Sequence, residues 1–143
     1  RRSSDLSLRE LIDVVGRPTI FHNCSAPRWD LVQRLPGVAL SADLSAPTAR
    51  DLDGIGALID RGDTLLAGVV PAVSSDRRVH ADAVATSLAA LTDRVGLNRK
   101  VLAQNVIVTP TCGLAGASES WSKQALAVSA QAGHLLATDP DAL

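Results

Sequence analysis

Residues 19–43 hold the stretch from which the fold is read. Thr19-Ile20-Phe21-His22-Asn23-Cys24 comes first, then a segment carrying Pro27, Trp29, Val32 and Leu35, then Val38-Ala39-Leu40-Ser41-Ala42-Asp43. The two outer runs are rich in strand formers and about six residues long, the usual size of a buried strand. Between them, Pro27 suits the first turn of a short helix that Pro36 and Gly37 end. Strand, helix, strand is the parallel βα unit, in which a helix supplies the crossover.

The alternation continues outward from this unit. Upstream, Ser7 and Glu10 stand three apart as a capping box, with Leu6 and Leu11 as its hydrophobic staple. Leu8, Leu11, Ile12 and Val15 recur at helical spacing until Gly16 and Pro18 stop the helix. Downstream, Pro47 or Thr48 opens a helix with Leu52, Ile55 and Ile59 on one face, closed by Arg61 and Gly62. Leu65 to Val70 is a third strand, followed by a helix with Val84, Leu88, Leu91 and Val95 aligned, ending at Gly96. Asn105 to Thr109 is a fourth strand, and a last helix begins near Ser118 and carries Trp121, Leu126, Val128 and Leu135.

The expected fold class is therefore α/β, with residues 1–143 forming one domain of four parallel βα units. The strands read as apolar on both faces, so the sheet is either covered on both sides or closed into a barrel. A closed barrel of eight units typically takes about 250 residues, more than the 143 present. An open flavodoxin-like sheet suits the length, but strand one runs into Cys24-Ser25-Ala26-Pro27 and not into a glycine-rich phosphate loop. Half of a barrel is the alternative, with Ile20, Leu40, Leu66 and Ile107 facing the barrel interior.

Composition narrows the partners. Lys+Arg 14 against Asp+Glu 15 leave a net charge of -1, which gives no electrostatic case for nucleic acid or an anionic membrane surface. An aromatic content of 2% removes the stacking platform of single-strand binders. Two cysteines cannot make a disulfide framework. The chain opens without a secretory pattern, and its longest apolar run, Thr64 to Val73, is broken by Gly68 and Pro71. The expectation is a soluble cytoplasmic protein with neither nucleic-acid nor membrane partners.

Three side chains are the candidates for chemistry, beside the plainer reading of buried free cysteines and a structural or surface histidine. His22 and Cys24, two apart in a strand, project to one side at its carboxyl end, where parallel α/β folds build their sites. Cys112 follows strand four in Val108-Thr109-Pro110-Thr111-Cys112-Gly113, at the same rim. Two thiolates and an imidazole suit zinc, and a catalytic zinc commonly has three protein ligands plus one exchangeable position. Asp43, at the end of strand two, either adds a carboxylate oxygen or caps the turn before Pro47. His80 and His134 lack ligand-spaced partners and read as solvated, as do Asp51, Asp53 and Asp60 on a polar helix face. Ser25, Ser41 and Ser118 have no evident His and Asp pairing for nucleophilic catalysis.

His22-Asn23-Cys24, the acidic strand end at Asp43, and Thr109-Pro110-Thr111-Cys112-Gly113-Leu114 followed by Trp121 and an Ala/Leu-rich helix resemble the C-terminal part of cobalamin-independent methionine synthases. The wider group includes the uroporphyrinogen decarboxylase-like barrels. The resemblance spans nearly the whole chain and is most specific at the Pro-x-Cys-Gly-Leu segment. It implies the C-terminal half of a (βα)8 barrel and an S-methyltransferase of methionine biosynthesis. Zinc would be held by His22, Cys24, Cys112 and the carboxylate of Asp43. A homocysteine-like thiol would bind zinc and attack the methyl group of a methyltetrahydrofolate.

The chain departs from the family at Asp43, where Glu is usual, and at Thr111, where an acidic residue is usual. It also lacks a histidine in Gly68-Val69-Val70-Pro71-Ala72-Val73 and lacks the N-terminal half of the barrel. The implied assembly is a homodimer or a union with a missing N-terminal half. A non-catalytic half-barrel serving as an assembly module is the competing function. Decarboxylation of a tetrapyrrole is weaker, since it has no use for the cysteine pair.

Overall fold

The computed structural model describes residues 2–74 and 78–143. Its elements run α1 (Arg2–Val15), β1 (Ile20–Asn23), α2 (Trp29–Val32), β2 (Ala39–Asp43), α3 (Ala49–Asp60), β3 (Leu65–Val70), α4 (Ala81–Val95), α5 (Lys100–Asn105), β4 (Val106–Pro110) and α6 (Glu119–Thr138), then a 3-10 turn at Pro140–Ala142. The four strands form one parallel sheet in the order β1-β2-β3-β4. The chain is thus α/β, with helices alternating along a four-stranded parallel sheet.

Burial alternates with a period of two along β1 and β2, and in β3 the alternation breaks at Gly68. Leu40, Ala42, Leu65, Ala67 and Val108 are buried in one continuous core with Leu58, Leu88, Leu102, Ala125 and Leu136 from the helices. The opposite side chains form rows set by the register, among them His22, Ser41, Leu66 and Ile107. This face is open: Ile20 is 55% and Ile107 52% exposed. Among the described residues, nothing covers this face at Ile20 and Ile107. Leu40 also changes sides from the expectation, being 1% exposed in the helix-covered core. The register decides this, because Ile20 pairs with Ala39 and His22 with Ser41, leaving Leu40 out of phase with the open row.

Several helix boundaries follow from caps. Thr48 and Asp51 make the capping box of α3, Ser118 Oγ accepts from Trp121 N–H at the start of α6, and Gly96 closes α4 with φ 78°. The capping box expected at Ser7 is not a helix start, since α1 already runs from Arg2 and makes Ser7 an interior position. Residues 2–6 contain neither Pro nor Gly, so nothing stops the helix from continuing past a local cap. The Leu6 side chain of the proposed staple lies outside the described residues. Among the described residues, no helix is long and apolar enough to cross a membrane.

Trp29 anchors α2 to α3. Its indole Nε1–H donates to Asp51 Oδ1 at 2.8 Å, and its ring lies against Gly54, where an added Cβ would fall 2.0 Å from Trp29 Cδ2. Only glycine admits the ring there. Asp51 is consequently more than a solvated surface carboxylate. Loss of hydration opposes its ionisation, but hydrogen bonds from Thr48 Oγ1, Trp29 Nε1 and Thr48 N–H outweigh it and hold the carboxyl below its usual range.

A depressed folded-state pKa contributes stability that is complete above the unfolded value of about 3.9 and is lost as pH falls through the folded value. Urea unfolding at a series of pH values is expected to show the wild-type chain losing stability below about pH 4. The Asp51→Asn variant should be less stable at pH 7 and have a flatter acid limb. An identical acid limb in the two proteins would refute this role for Asp51.

Candidate metal site

The rim at the carboxyl ends of the strands brings the three expected ligands together. Cys24 Sγ lies 3.0 Å from His22 Nε2, and Cys112 Sγ lies 3.8 Å from His22 Nε2 and 3.7 Å from Cys24 Sγ. These donors form a group that can hold a metal ion. A tetrahedral ion with bonds of about 2.0 Å to nitrogen and 2.3 Å to sulfur needs N···S separations of roughly 3.6 Å and an S···S separation of roughly 3.8 Å. Two of the three distances already match, and the third opens on slight rotation of an exposed thiol. All three residues are exposed, which leaves the group accessible to a further ligand.

Strand periodicity explains His22 and Cys24, but Cys112 must reach them from the far edge of the sheet. Three strand intervals separate β1 from β4, roughly 14 Å at about 4.8 Å per interval. The chain leaving β4 spans part of this by lying over Gly68. A Cβ there would sit 2.6 Å from the Ala42 carbonyl oxygen and 2.9 Å from Thr111 Cα. Thr111 N–H donates to Val70 O at 2.8 Å, and Thr111 Oγ1 accepts from Ala72 N–H at 3.2 Å, which fixes this crossing. A register shift between Gly68 and Val70 marks the same place on β3. Trp121 holds the neighbouring turn through its Nε1–H, which donates to Pro71 O at 3.2 Å.

Sequence reading missed the partner of the histidine. Ser41, one strand over in the same row, has its Oγ 2.9 Å from His22 Nδ1. With the Nδ1 proton donated to that hydroxyl, Nε2 is left as the lone-pair nitrogen facing the two sulfurs. Nothing in the sequence alone marked Ser41, whereas Gly68 had a signal in being a glycine inside an apolar strand, a mark of close backbone approach.

Asp43 stands outside the three-residue group. Its Oδ1 accepts from Ser45 N–H at 2.9 Å, the turn-capping alternative drawn from the sequence. His80 and His134 are exposed and take no part. The hydrogen bond with Cys112 pushes the Cys24 thiol above its ordinary range, and loss of hydration and repulsion from a Cys112 thiolate act in the same direction. A divalent cation between the sulfurs reverses that logic by stabilising both thiolates.

No family model, curated protein or solved structure matches the chain.

Competition titrations of zinc against a chromophoric chelator should show Cys24→Ser and Cys112→Ser each losing at least about 100-fold in affinity. Ser41→Ala should lose about 10-fold, the scale of a hydrogen-bonding partner behind a ligand. Asp43→Asn should change affinity less than about 3-fold, because its carboxylate is engaged by the turn. A loss at Asp43→Asn equal to that of the cysteine variants would make it a ligand.

Proposed function

We propose that the chain is the zinc-holding half of a methyltransferase that acts on a thiol, in the manner of the cobalamin-independent methionine synthases. The observation that supports this most is the convergence of His22, Cys24 and Cys112 from β1 and from the loop after β4 on one rim. Zinc at such a set supplies a Lewis acid that makes a thiol of ordinary pKa about 8.5 available as its thiolate near neutral pH. His22 Nε2 faces the two sulfurs, Ser41 holds the ring, and the two cysteines would supply negative charge to a bound metal. The exposed side of the group is where the acceptor thiol enters, a homocysteine-like amino acid in this reading, with a methyltetrahydrofolate as donor.

The cobalt(II)-loaded chain provides a spectroscopic test. Its visible and near-ultraviolet bands should change on adding homocysteine and stay unchanged with homoserine, which has a hydroxyl in place of the thiol. A chain that takes up no metal, or one whose spectrum ignores both compounds, would defeat the proposal. Methyl transfer by the isolated chain is expected to be negligible, since catalysis requires both reactants to be positioned.

We further infer that the sheet is half of a (βα)8 barrel closed by a second four-stranded unit, either a second copy or another part of a longer chain. The sequential parallel order supports this, as do the exposed Ile20 and Ile107 on the open face and the exposed Leu11, Val14 and Val15 of α1. Covering such side chains gains roughly 25 cal/mol per Å², and pairing the edges satisfies free amides. Sedimentation at micromolar concentration should show association. A stable monomer that binds no hydrophobic dye would overturn the half-barrel reading.

A further inference from the structure

We infer that Cys24 and Cys112 are a site of oxidative modification, at which a hydroperoxide joins them in an intramolecular disulfide. Their Sγ atoms lie 3.7 Å apart although 88 positions separate them in sequence. Both are free and exposed, so an oxidant reaches them without any opening of the fold. A disulfide needs the sulfurs at about 2.05 Å. Each cysteine lies in a bend just outside a strand, so the approach strains no ladder hydrogen bond. The chain has no third cysteine to compete.

The chemistry balances with the hydroperoxide as sole oxidant. One cysteine sulfur attacks the terminal peroxide oxygen, the O–O bond breaks, and an alcohol, or water from hydrogen peroxide, leaves with that thiol's proton. The resulting sulfenic acid is attacked by the second sulfur. Its S–O bond breaks, water leaves with the second proton, and the Sγ–Sγ bond forms. Two electrons pass from the two thiols to the peroxide. The bond consumes both sulfur donors of the rim and ties the end of β1 to the loop after β4, so metal loading and the disulfide exclude each other. The disulfide itself requires only the two thiols and stands independently of the metal reading.

The test uses the full chain, reduced and treated with chelator, then exposed to hydrogen peroxide. The thiol titre should fall from two to none per chain, with a mass loss of about 2 Da, a proteolytic peptide pair joining residues 24 and 112, and full reversal by dithiothreitol. The Cys112→Ser variant should give no such mass loss. Oxygen additions on separate cysteines, or cross-links only between chains, would overturn the inference. In a parallel arm with zinc added first, cross-linking about 10-fold slower supports both readings. An unchanged rate with the disulfide still formed supports the modification and counts against the metal.

Discussion

Parallel pairing of β1 with β2, β2 with β3 and β3 with β4 aligns the carboxyl ends of all four strands on one rim. The strands pair in chain order, and buried side chains from α2 to α6 pack with one face of the sheet. That face holds the core, with Leu40, Ala67 and Val108 among its buried side chains, and the other face is left for the row His22, Ser41, Leu66 and Ile107. The imidazole is therefore on the open face because of register. A shift of one residue would bury it among aliphatic side chains.

The rim is assembled by backbone contacts as much as by side chains. The chain leaving β4 lies on Gly68 and is held by Thr111 to Val70 and Ala72, which carries Cys112 toward the β1 edge. The ligand set thus depends on the missing side chain of a residue with no donor atom of its own to offer. Ser41 is a similar case: a hydroxyl with no evident histidine partner in the sequence faces His22 Nδ1 at 2.9 Å. At the other end of the molecule, Asp63 ties the strand entrances, accepting from Gly37 N–H and from the Arg61 guanidinium.

Two thiols and an imidazole held this close have two chemical fates. A divalent cation stabilises the thiolates and keeps the sulfurs apart at the span of a tetrahedral ion. An oxidant brings the sulfurs together and removes them as ligands. The exposure of both cysteines makes either fate accessible to species in solution.

Most of the elements were legible in the sequence, because they rest on local physics. Short, mostly apolar runs marked the four strands, while Thr48, Ser118 and Gly96 marked helix ends that the structure retains. The placement of His22, Cys24 and Cys112 at one rim was also readable, since parallel βα units put every carboxyl strand end on the same side. Tertiary structure decided the rest. Leu40 went to the core and Ser41 to the site because pairing register is a relation between strands that no single strand encodes. The short α5 follows an Asn98 side chain that accepts from Lys100 N–H, a local cue too weak to read without its surroundings. Asp51 left the solvated surface because Trp29, 22 residues away, reached it through packing around Gly54. Asp43 became a turn cap because its Oδ1 accepts from the backbone N–H of Ser45, two residues on. Short-range preferences are written residue by residue, whereas distances between segments far apart in the chain exist only once the sheet has formed.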